Sequence, residues 1–227
     1  MTQQPGVFHW RKLRNQMVED QIIARGIHDP RVIHAMRTIK RHVFVPTDML
    51  PEAYTDLPLP IGLGQTISQP YVVAHMSELL CLSPNDIVLE VGTGSGYQAA
   101  VLSHLANQVI TVESINSLAN QAEDRLQSMG INNVVVLEGD GGLGTPNHGP
   151  YDAIIMSAAA PKIPTPLMLQ LKVGGRLVAP IGTTTSQTLV LYKKMLGHST
   201  LKNLYPVRFV SLTGKWGAPT NFSLGNK

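Results

Sequence analysis

The fold is decided by the stretch Val88-Leu89-Glu90-Val91-Gly92-Thr93-Gly94-Ser95-Gly96-Tyr97. Its apolar first half, which Ile87 precedes, predicts a buried strand, and the residues from Tyr97 to about 106 predict a helix. Strand, glycine-rich turn and helix form the beginning of a βαβ unit. Alternate glycines permit positive φ angles and let a ligand approach the backbone, and the following helix directs its free N–H groups and positive dipole end toward that ligand. A ligand site is therefore expected at this turn.

The rest of the chain continues this alternation of strands and helices. Further strands are predicted at 109–113, 134–137, 151–156, 176–179, 189–192 and 207–212, and helices at 116–129 and 166–171. Such alternation is typical of an α/β fold with a doubly wound, mostly parallel sheet, here of seven strands. In these sheets ligands bind beyond the C-terminal ends of the strands. The glycine turn, Glu113, Asp140 and residues 157–161 all fall at such ends, which strengthens the prediction of a site there.

The N-terminal part of the chain has a helical pattern. A first helix is predicted from Trp10 to a stop at Gly26, and Asp29 is expected to cap a second helix. Residues 47–70 are rich in proline, glycine and polar side chains but contain apolar residues too, so a long functional loop is predicted rather than disorder. A third helix is predicted to begin at Pro70.

Two polar residues have alternative interpretations that the residues alone leave open. The Ser68 hydroxyl could cap the helix that begins at Pro70, or it could contact a ligand. Asp140 lies between two glycines, where it could form a turn, but its place after a predicted strand favours hydrogen bonding to a ligand such as an adenine amino group.

Composition limits the possible classes of protein. The 227 residues are 43% hydrophobic and 15% charged, and no apolar run reaches the ~18 residues that span a bilayer. The N-terminus lacks a signal-peptide pattern, and a single cysteine, Cys81, excludes internal disulfides, so a cytoplasmic location is expected with Cys81 buried as a structural thiol. The net charge of +3 comes from scattered basic residues, with small clusters at 11–14 and 37–41 that we interpret as solvated helix faces. Neither nucleic acid, membrane nor metal is predicted to bind.

The spacing of the glycines distinguishes between kinds of cofactor. Dinucleotide sites have Gly-x-Gly-x-x-Gly, whereas this chain has Gly-x-Gly-x-Gly preceded by Glu90. That combination resembles the first motif of S-adenosylmethionine-dependent methyltransferases, and Glu113 at the end of the next strand is placed to accept hydrogen bonds from the ribose hydroxyls. The cofactor-binding residues that we predict are Gln65, Thr66, Glu90, Gly92, Thr93, Gly94, Ser95, Gly96, Glu113, Asp140 and Gly141.

A second motif narrows the resemblance to one family. The segment Leu59-Pro60-Ile61-Gly62-Leu63-Gly64-Gln65-Thr66-Ile67-Ser68-Gln69-Pro70-Tyr71 is similar to the signature of protein-L-isoaspartate O-methyltransferases. The resemblance extends over roughly residues 15–215 and departs at Ser211, where related sequences often carry proline. It is also carried by residues 44–46, 53–56, 90–97, 139–144, 158–161 and 207–210.

The resemblance implies a Rossmann-like methyltransferase fold and a repair reaction. Members transfer a methyl group from S-adenosylmethionine, leaving S-adenosylhomocysteine, to the free α-carboxylate of L-isoaspartyl residues in damaged proteins and peptides, and the ester then closes to a succinimide. It implies a catalytic Ser68, a helical substrate-side region (1–80), a cofactor-binding core (81–215) and a tail (216–227), which we expect to form one domain and a monomer. The implied substrate-binding residues are Pro60, Ile61, Gly62, Ser68, Ala159 and Val210.

The chemistry of such a reaction needs no general base, because the sulfonium activates the methyl group and the acceptor carboxylate is ionised near neutral pH. Alignment and partial desolvation remain for the protein, and a hydrogen bond from Ser68 could hold one oxygen toward the methyl group. Three rival functions stay open: a methyltransferase of RNA or a small molecule, a nucleotide-binding scaffold without catalysis, and an NAD-dependent oxidoreductase. The last lacks the expected glycine spacing.

Overall fold

The computed structural model describes residues 7–217 of the protein, with side chains from residue 9 onward. The remaining residues of the predicted N-terminal region and C-terminal tail lie outside this range. Within the range, no helix has both the length and the apolar character needed to span a bilayer. Six α-helices precede or alternate with the strands: α1 (Val7–Met17), α2 (Pro30–Thr38), α3 (Pro70–Leu79), α4 (Tyr97–Ser103), α5 (Asn116–Ser128) and α6 (Thr165–Gln170).

A central sheet of seven strands organises the molecule. Its order is β5-β4-β3-β6-β7-β8-β9, in which β3 to β7 run parallel and β8 pairs antiparallel with both of its neighbours. The predicted mostly parallel α/β sheet is thus confirmed. The strands are β3 (Ile87–Val91), β4 (Gln108–Glu113), β5 (Val134–Glu138), β6 (Tyr151–Met156), β7 (Leu171–Gly182), β8 (Gln187–Met195) and β9 (His198–Val207).

The two faces of the sheet bury different hydrophobic clusters. Val88 of β3 belongs to a cluster that also contains buried residues of α2, α3 and α4, while the next residue, Leu89, belongs to a second cluster on the opposite face. Successive side chains of a strand point to opposite faces, so a strand buried on both sides is a nearly continuous apolar run, which Glu90 alone interrupts in β3. This explains why the inner strands were predicted correctly.

The last strand of the sheet, β9, lies earlier in the chain than the sequence pattern predicts. The predicted strand at 207–212 is wrong, because β9 ends at Val207 and the following residues form an irregular segment with an isolated bridge from Ser211 to Ala159. Residues 198–203 of β9 are all exposed. An edge strand without a buried face has no alternating apolar pattern, so only the apolar run after it was visible in the sequence.

The predicted loop at 47–70 contains regular structure. A 3₁₀ segment (Thr47–Glu52) is followed by a small antiparallel hairpin of β1 (Leu59–Gly62) and β2 (Gln65–Ile67). Leu63 and Gly64 form its two-residue turn with φ angles of 53° and 71°. Positive φ angles at both positions are typical of a type I′ turn, which prefers asparagine or glycine at its first central position. Because Leu63 occupies that position, the turn has no signal in the sequence.

The N-terminal helices follow the predicted start and stop signals. Gly26 closes the first helical segment with φ of 90°, and the Asp29 side chain accepts a 2.8 Å hydrogen bond from the Arg31 N–H at the start of α2. Two expectations are wrong. Cys81 is exposed, because the chain turns after α3 with φ of 45° at Cys81 and the flanking leucines take the buried positions. Arg41 is fully buried rather than on a solvated face.

Candidate active site

The glycine turn has the backbone geometry that its sequence requires. Gly92, Gly94 and Gly96 have φ angles of 92°, 53° and 89°, and Gly96 is the residue that caps α4. A Cβ atom on Gly92 would lie 3.6 Å from Ser157, and one on Gly96 would lie 3.3 Å from the Cβ of Ala122. The turn is therefore packed against the segment that follows β6 and against α5.

Glu113 lies beside this turn at the end of β4. Its Oε2 accepts a 2.8 Å hydrogen bond from the Gly94 N–H, and its Oε1 accepts a 3.1 Å bond from the Ile115 N–H. The side chain is buried in the protein. A carboxylate fixed in this way keeps further lone pairs beside the glycine turn, and its contact with a ribose stays a prediction.

Glu90 is the second carboxylate of the site and is completely buried. Thr111 donates a 2.8 Å hydrogen bond to its Oε2, Ser157 donates a 3.1 Å bond to its Oε1, and the Thr93 hydroxyl lies 2.7 Å from that of Thr111. Burial raises the pKa of Glu90 to about 8; the two hydrogen bonds oppose that rise, and the nearby Glu113 adds to it. A cationic ligand group close by would favour the ionised carboxylate.

These residues line one cleft, which we call the glycine-turn cleft. It includes the turn itself, Glu90, Glu113 and residues of β2 and of the segment after β9. A second cleft adjoins it, and we call this the arginine-lined cleft because Arg25 and Arg208 lie in its wall. Both clefts include Thr66, Ser68, Ser157 and Val210 in their lining.

Ser68 is thus at the junction of the two clefts. Within residues 7–217 its hydroxyl makes no hydrogen bond, and the residue that caps α3 is Gln69, which makes no side-chain cap bond. The helix-capping interpretation of Ser68 is therefore wrong. A partly buried hydroxyl without a partner is free to bond to a group placed in either cleft.

The arginine-lined cleft has an ordered aromatic wall. The Arg25 guanidinium carbon lies 3.5 Å from the centroid of the Tyr71 ring, and Arg25 also forms a 2.7 Å ion pair with Asp56. Next to Tyr71, the His75 ring stacks on Tyr205, whose hydroxyl lies 2.7 Å from Nδ1 of His75. These contacts give the cleft a rigid, partly apolar side next to Ser68.

Most predicted cofactor residues lie in one place. The predicted set lines the glycine-turn cleft except for Gly96, which supports the turn from α4, and Asp140. The Asp140 carboxylate accepts 2.9 Å hydrogen bonds from the Gly142 N–H and the Lys215 N–H. The turn-forming interpretation of Asp140 is thus realised, and its contact with a ligand stays a prediction.

The predicted substrate-binding residues, unlike the cofactor-binding ones, do not line a single cleft. Only Ser68 and Val210 line the arginine-lined cleft. Pro60 and Gly62 are exposed on the hairpin, where the short β1 strand turns them away from both clefts. Ile61 instead lies over the glycine turn, 3.6 Å from the position of a Cβ on Gly94. Ala159 is buried and acts through its backbone, donating a 2.8 Å hydrogen bond to the Val210 carbonyl.

Several residues of the site were missed as site residues. Arg125 of α5 donates a 2.7 Å hydrogen bond to the Ser95 carbonyl and so holds the glycine turn in place. Ser157 bonds Glu90 and lines both clefts; its position after β6 placed it at the predicted edge of the sheet, but it was given no binding role. Tyr71 ends the signature segment three residues after Ser68 but was given no binding role, whereas Arg25 comes from a distant part of the chain and no sequence spacing links it to the cleft.

Comparison with known proteins agrees with this geometry. The family model described as protein-L-isoaspartate(D-aspartate) O-methyltransferase matches residues 12–217. A Syntrophobacter fumaroxidans protein named protein-L-isoaspartate O-methyltransferase 1 is 49% identical over 211 residues, which cover 93% of this chain and 99% of that protein. A Nitrosococcus oceani protein named protein-L-isoaspartate O-methyltransferase 2 is 53% identical over 216 residues, with the same coverage of 93% and 99%.

Solved structures give the same result. A protein-L-isoaspartate O-methyltransferase of 30% identity superposes with a TM-score of 0.83 over 90% of this chain and 67% of its own. A Plasmodium falciparum protein described as an enzyme of this kind, in complex with S-adenosyl-L-homocysteine, is 25% identical, with a TM-score of 0.75 over 88% of this chain and 98% of its own. The family match covers nearly all of the described residues, and the chain belongs to the protein-L-isoaspartate O-methyltransferase family.

Proposed function

We propose that this protein transfers a methyl group from S-adenosylmethionine to the free α-carboxylate of L-isoaspartyl residues in proteins and peptides. The methyl ester closes spontaneously to a succinimide, whose hydrolysis returns part of the chains to normal aspartate. The observation that carries the proposal is the junction of two clefts at Ser68, one built on the glycine turn and the other open toward a peptide.

The glycine-turn cleft fits S-adenosylmethionine. Gly92 and Gly94 line the cleft with backbone alone, which lets the cofactor approach the turn closely at the edge of the sheet. Glu113 would take the ribose hydroxyls, and Glu90 would offset the positive charge of the methionine part. When bound, S-adenosylmethionine supplies an activated methyl group on a sulfonium.

Ser68 acts on the acceptor side. Its free hydroxyl donates a hydrogen bond to one oxygen of the acceptor carboxylate and so turns the other oxygen toward the methyl group. The apolar Val210 side chain, which both clefts share, excludes water from the same place and partly desolvates the attacking oxygen. The chain's own residues thus contribute alignment rather than proton transfer.

The proposal is tested with labelled S-adenosylmethionine and a matched pair of peptides that differ only in an isoaspartyl or an aspartyl residue. We expect label on the isoaspartyl peptide alone, and we expect mild base to release it as methanol, because carboxyl methyl esters are labile. Base-stable label on RNA or a small molecule, or cofactor binding without transfer to any acceptor, contradicts the proposal.

We further propose that the protein works in the cytoplasm as a monomer, without a nucleic acid or a membrane as partner. The support is a single cysteine, which suits a reducing compartment, and the scattered distribution of its basic residues. Light scattering coupled to size-exclusion chromatography tests the monomer: a mass near 24.6 kDa is expected, and twice that mass contradicts it.

A further inference from the structure

The arginine-lined cleft has an unbalanced charge. Its described lining includes two arginines, Arg25 and Arg208, and no aspartate or glutamate. The acceptor carboxylate proposed at Ser68 is one negative group, and Arg25 and Arg208 line the same cleft as Ser68. The described lining thus carries positive side chains and no acidic one, and a low-dielectric wall strengthens the field of that charge.

Arg25 is held in a fixed position. Its ion pair with Asp56 engages one end of the guanidinium, and the face of the Tyr71 ring supports its plane. A guanidinium has five N–H donors, so the bond to Asp56 leaves others for a ligand. Asp56 itself is outside the lining of the cleft and offsets part of the charge of Arg25.

Arg208 differs from Arg25 because its charge is not offset. It is exposed just after β9, and within residues 7–217 it forms no ion pair. Val210, two residues after it along the chain, lines both clefts. Because Arg208 and Ser68 line the same cleft, we expect an acidic residue that flanks the reacting residue to meet this side chain.

We propose that Arg208, supported by Arg25, forms a subsite for a second carboxylate, supplied by an acidic residue that flanks the isoaspartyl residue. This inference rests on the proposed function and names the class of peptide that the same site prefers. The subsite sets specificity and takes no part in the transfer itself. Peptides with an acidic residue beside the isoaspartyl residue should have the highest kcat/KM, those with a neutral residue an intermediate value, and those with a basic residue the lowest.

The test uses three isoaspartyl peptides that differ only in glutamate, glutamine or lysine beside the reacting residue. For the wild-type chain we expect kcat/KM to fall about two- to fivefold at each step from glutamate to glutamine to lysine, the range of exposed charge pairs. The differences in kcat/KM among the three peptides should become smaller at ~1 M salt, where the Debye length is about 3 Å. R208Q should largely abolish the ranking while cofactor affinity, measured by calorimetry, stays unchanged.

Lys202→Gln is the matched control. It removes one exposed positive charge from β9, outside both clefts, and should keep the wild-type ranking. Equal kcat/KM for the three peptides in the wild-type chain, or an unchanged ranking in R208Q, overturns the subsite and leaves the proposed function standing. Failure to methylate any of the three peptides overturns the proposed function, and the subsite with it.

Discussion

The proposed role of Ser68 predicts a loss of turnover without a loss of cofactor affinity. In Ser68→Ala the acceptor carboxylate loses a positioning hydrogen bond, which is worth about 1–3 kcal/mol, so kcat/KM should fall about 5- to 150-fold. Calorimetry should give a near-normal affinity for S-adenosylhomocysteine, because Ser68 makes no bond to the glycine turn within the described residues.

The matched control for this change is Ser199→Ala, at an exposed serine of β9 outside both clefts. It should keep wild-type turnover and affinity. Equal losses of turnover and cofactor affinity in Ser68→Ala would mean that Ser68 is only a structural part of the hairpin region.

Glu113 is predicted to hold the ribose, so Glu113→Ala should weaken the binding of S-adenosylhomocysteine by about tenfold or more, as expected for a lost bond to a charged acceptor. Glu138→Ala is the control, since Glu138 pairs with Glu113 in the neighbouring strand but is exposed and lines neither cleft. Calorimetry measures both variants, and an unchanged affinity in Glu113→Ala would remove the ribose assignment.

Glu90 makes the free energy of unfolding depend on pH. Its pKa is raised from 4.5 to about 8 in the folded protein, so between these values the folded chain keeps a proton that the unfolded chain releases. This contribution to stability is fully present below about pH 4.5 and is lost as the pH rises through about 8. Glu90→Gln has no such loss, so its Tm relative to wild type should rise by several degrees from pH 5 to pH 8.

Thermal scans of the cofactor-free protein measure this difference. Glu123→Gln, the same change at an exposed position of α5, is the control for the substitution itself. Parallel curves of Tm against pH for Glu90→Gln and wild type would contradict the buried, protonated carboxylate.

A site residue could be predicted from sequence where its position along the chain, relative to a recognisable strand or turn, is enough to locate it. Glu90 and Glu113 could be placed because each lies at a fixed point of a buried strand beside the glycine turn. Arg125 could not, because its bond to Ser95 depends on how far α5 packs along the turn, which no local pattern records.

At the scale of elements, the inner strands could be predicted from their local sequence pattern, whereas the hairpin could not. Strands β3 and β6 are buried on both faces, so their apolar runs identify them without knowledge of their neighbours. The hairpin of β1 and β2 is short and mostly exposed, and Leu63 occupies a turn position that normally carries asparagine. Thr66 of β2 lines both clefts, so the hairpin takes part in the site although its turn is unfavourable.

The strain at this turn is testable. Leu63 is 60% exposed with φ of 53°, a conformation that costs a side chain with Cβ about 1–2 kcal/mol and that asparagine tolerates better. Leu63→Asn should therefore raise Tm by about 2–4 °C. Leu196→Asn is a close control, because Leu196 and Gly197 also form a two-residue turn, between β8 and β9, but Leu196 lacks a positive φ. A similar change in Tm for both variants, measured by thermal unfolding, would contradict the strain.

The segment after β9 links the elements around the site. The Leu212 N–H donates a 2.7 Å hydrogen bond to the Ala159 carbonyl, and the Thr213 hydroxyl donates a 2.7 Å bond to Ser114. These bonds hold the segment across the ends of β6 and β4. The apolar residues that suggested a strand here are instead used to close the glycine-turn cleft, in which Val210 and Leu212 lie.

At the scale of the whole molecule, Arg41 joins the N-terminal region to the core. Its guanidinium donates a 2.9 Å hydrogen bond to the Ala53 carbonyl and lies 4.9 Å from the centroid of the Tyr97 ring at the start of α4. Burial lowers its pKa to about 10, so it stays charged at neutral pH. Separating the two regions would break the contact with the Tyr97 ring and expose a buried guanidinium site, which favours folding of the two regions together.

We therefore predict that the chain unfolds as one cooperative unit, as a single domain does. The two tryptophans report on different parts: Trp10 packs against the cluster that contains the N-terminal helices, and Trp216 packs against the cluster on the other face of the sheet. In Trp10→Phe and Trp216→Phe, each remaining tryptophan should give the same urea midpoint as far-UV circular dichroism of that variant. S-adenosylhomocysteine at 100 times its Kd should stabilise both signals by about 2.7 kcal/mol. A lower midpoint for the Trp10 signal, or a ligand effect on the Trp216 signal alone, would mean that the N-terminal region folds as a separate domain.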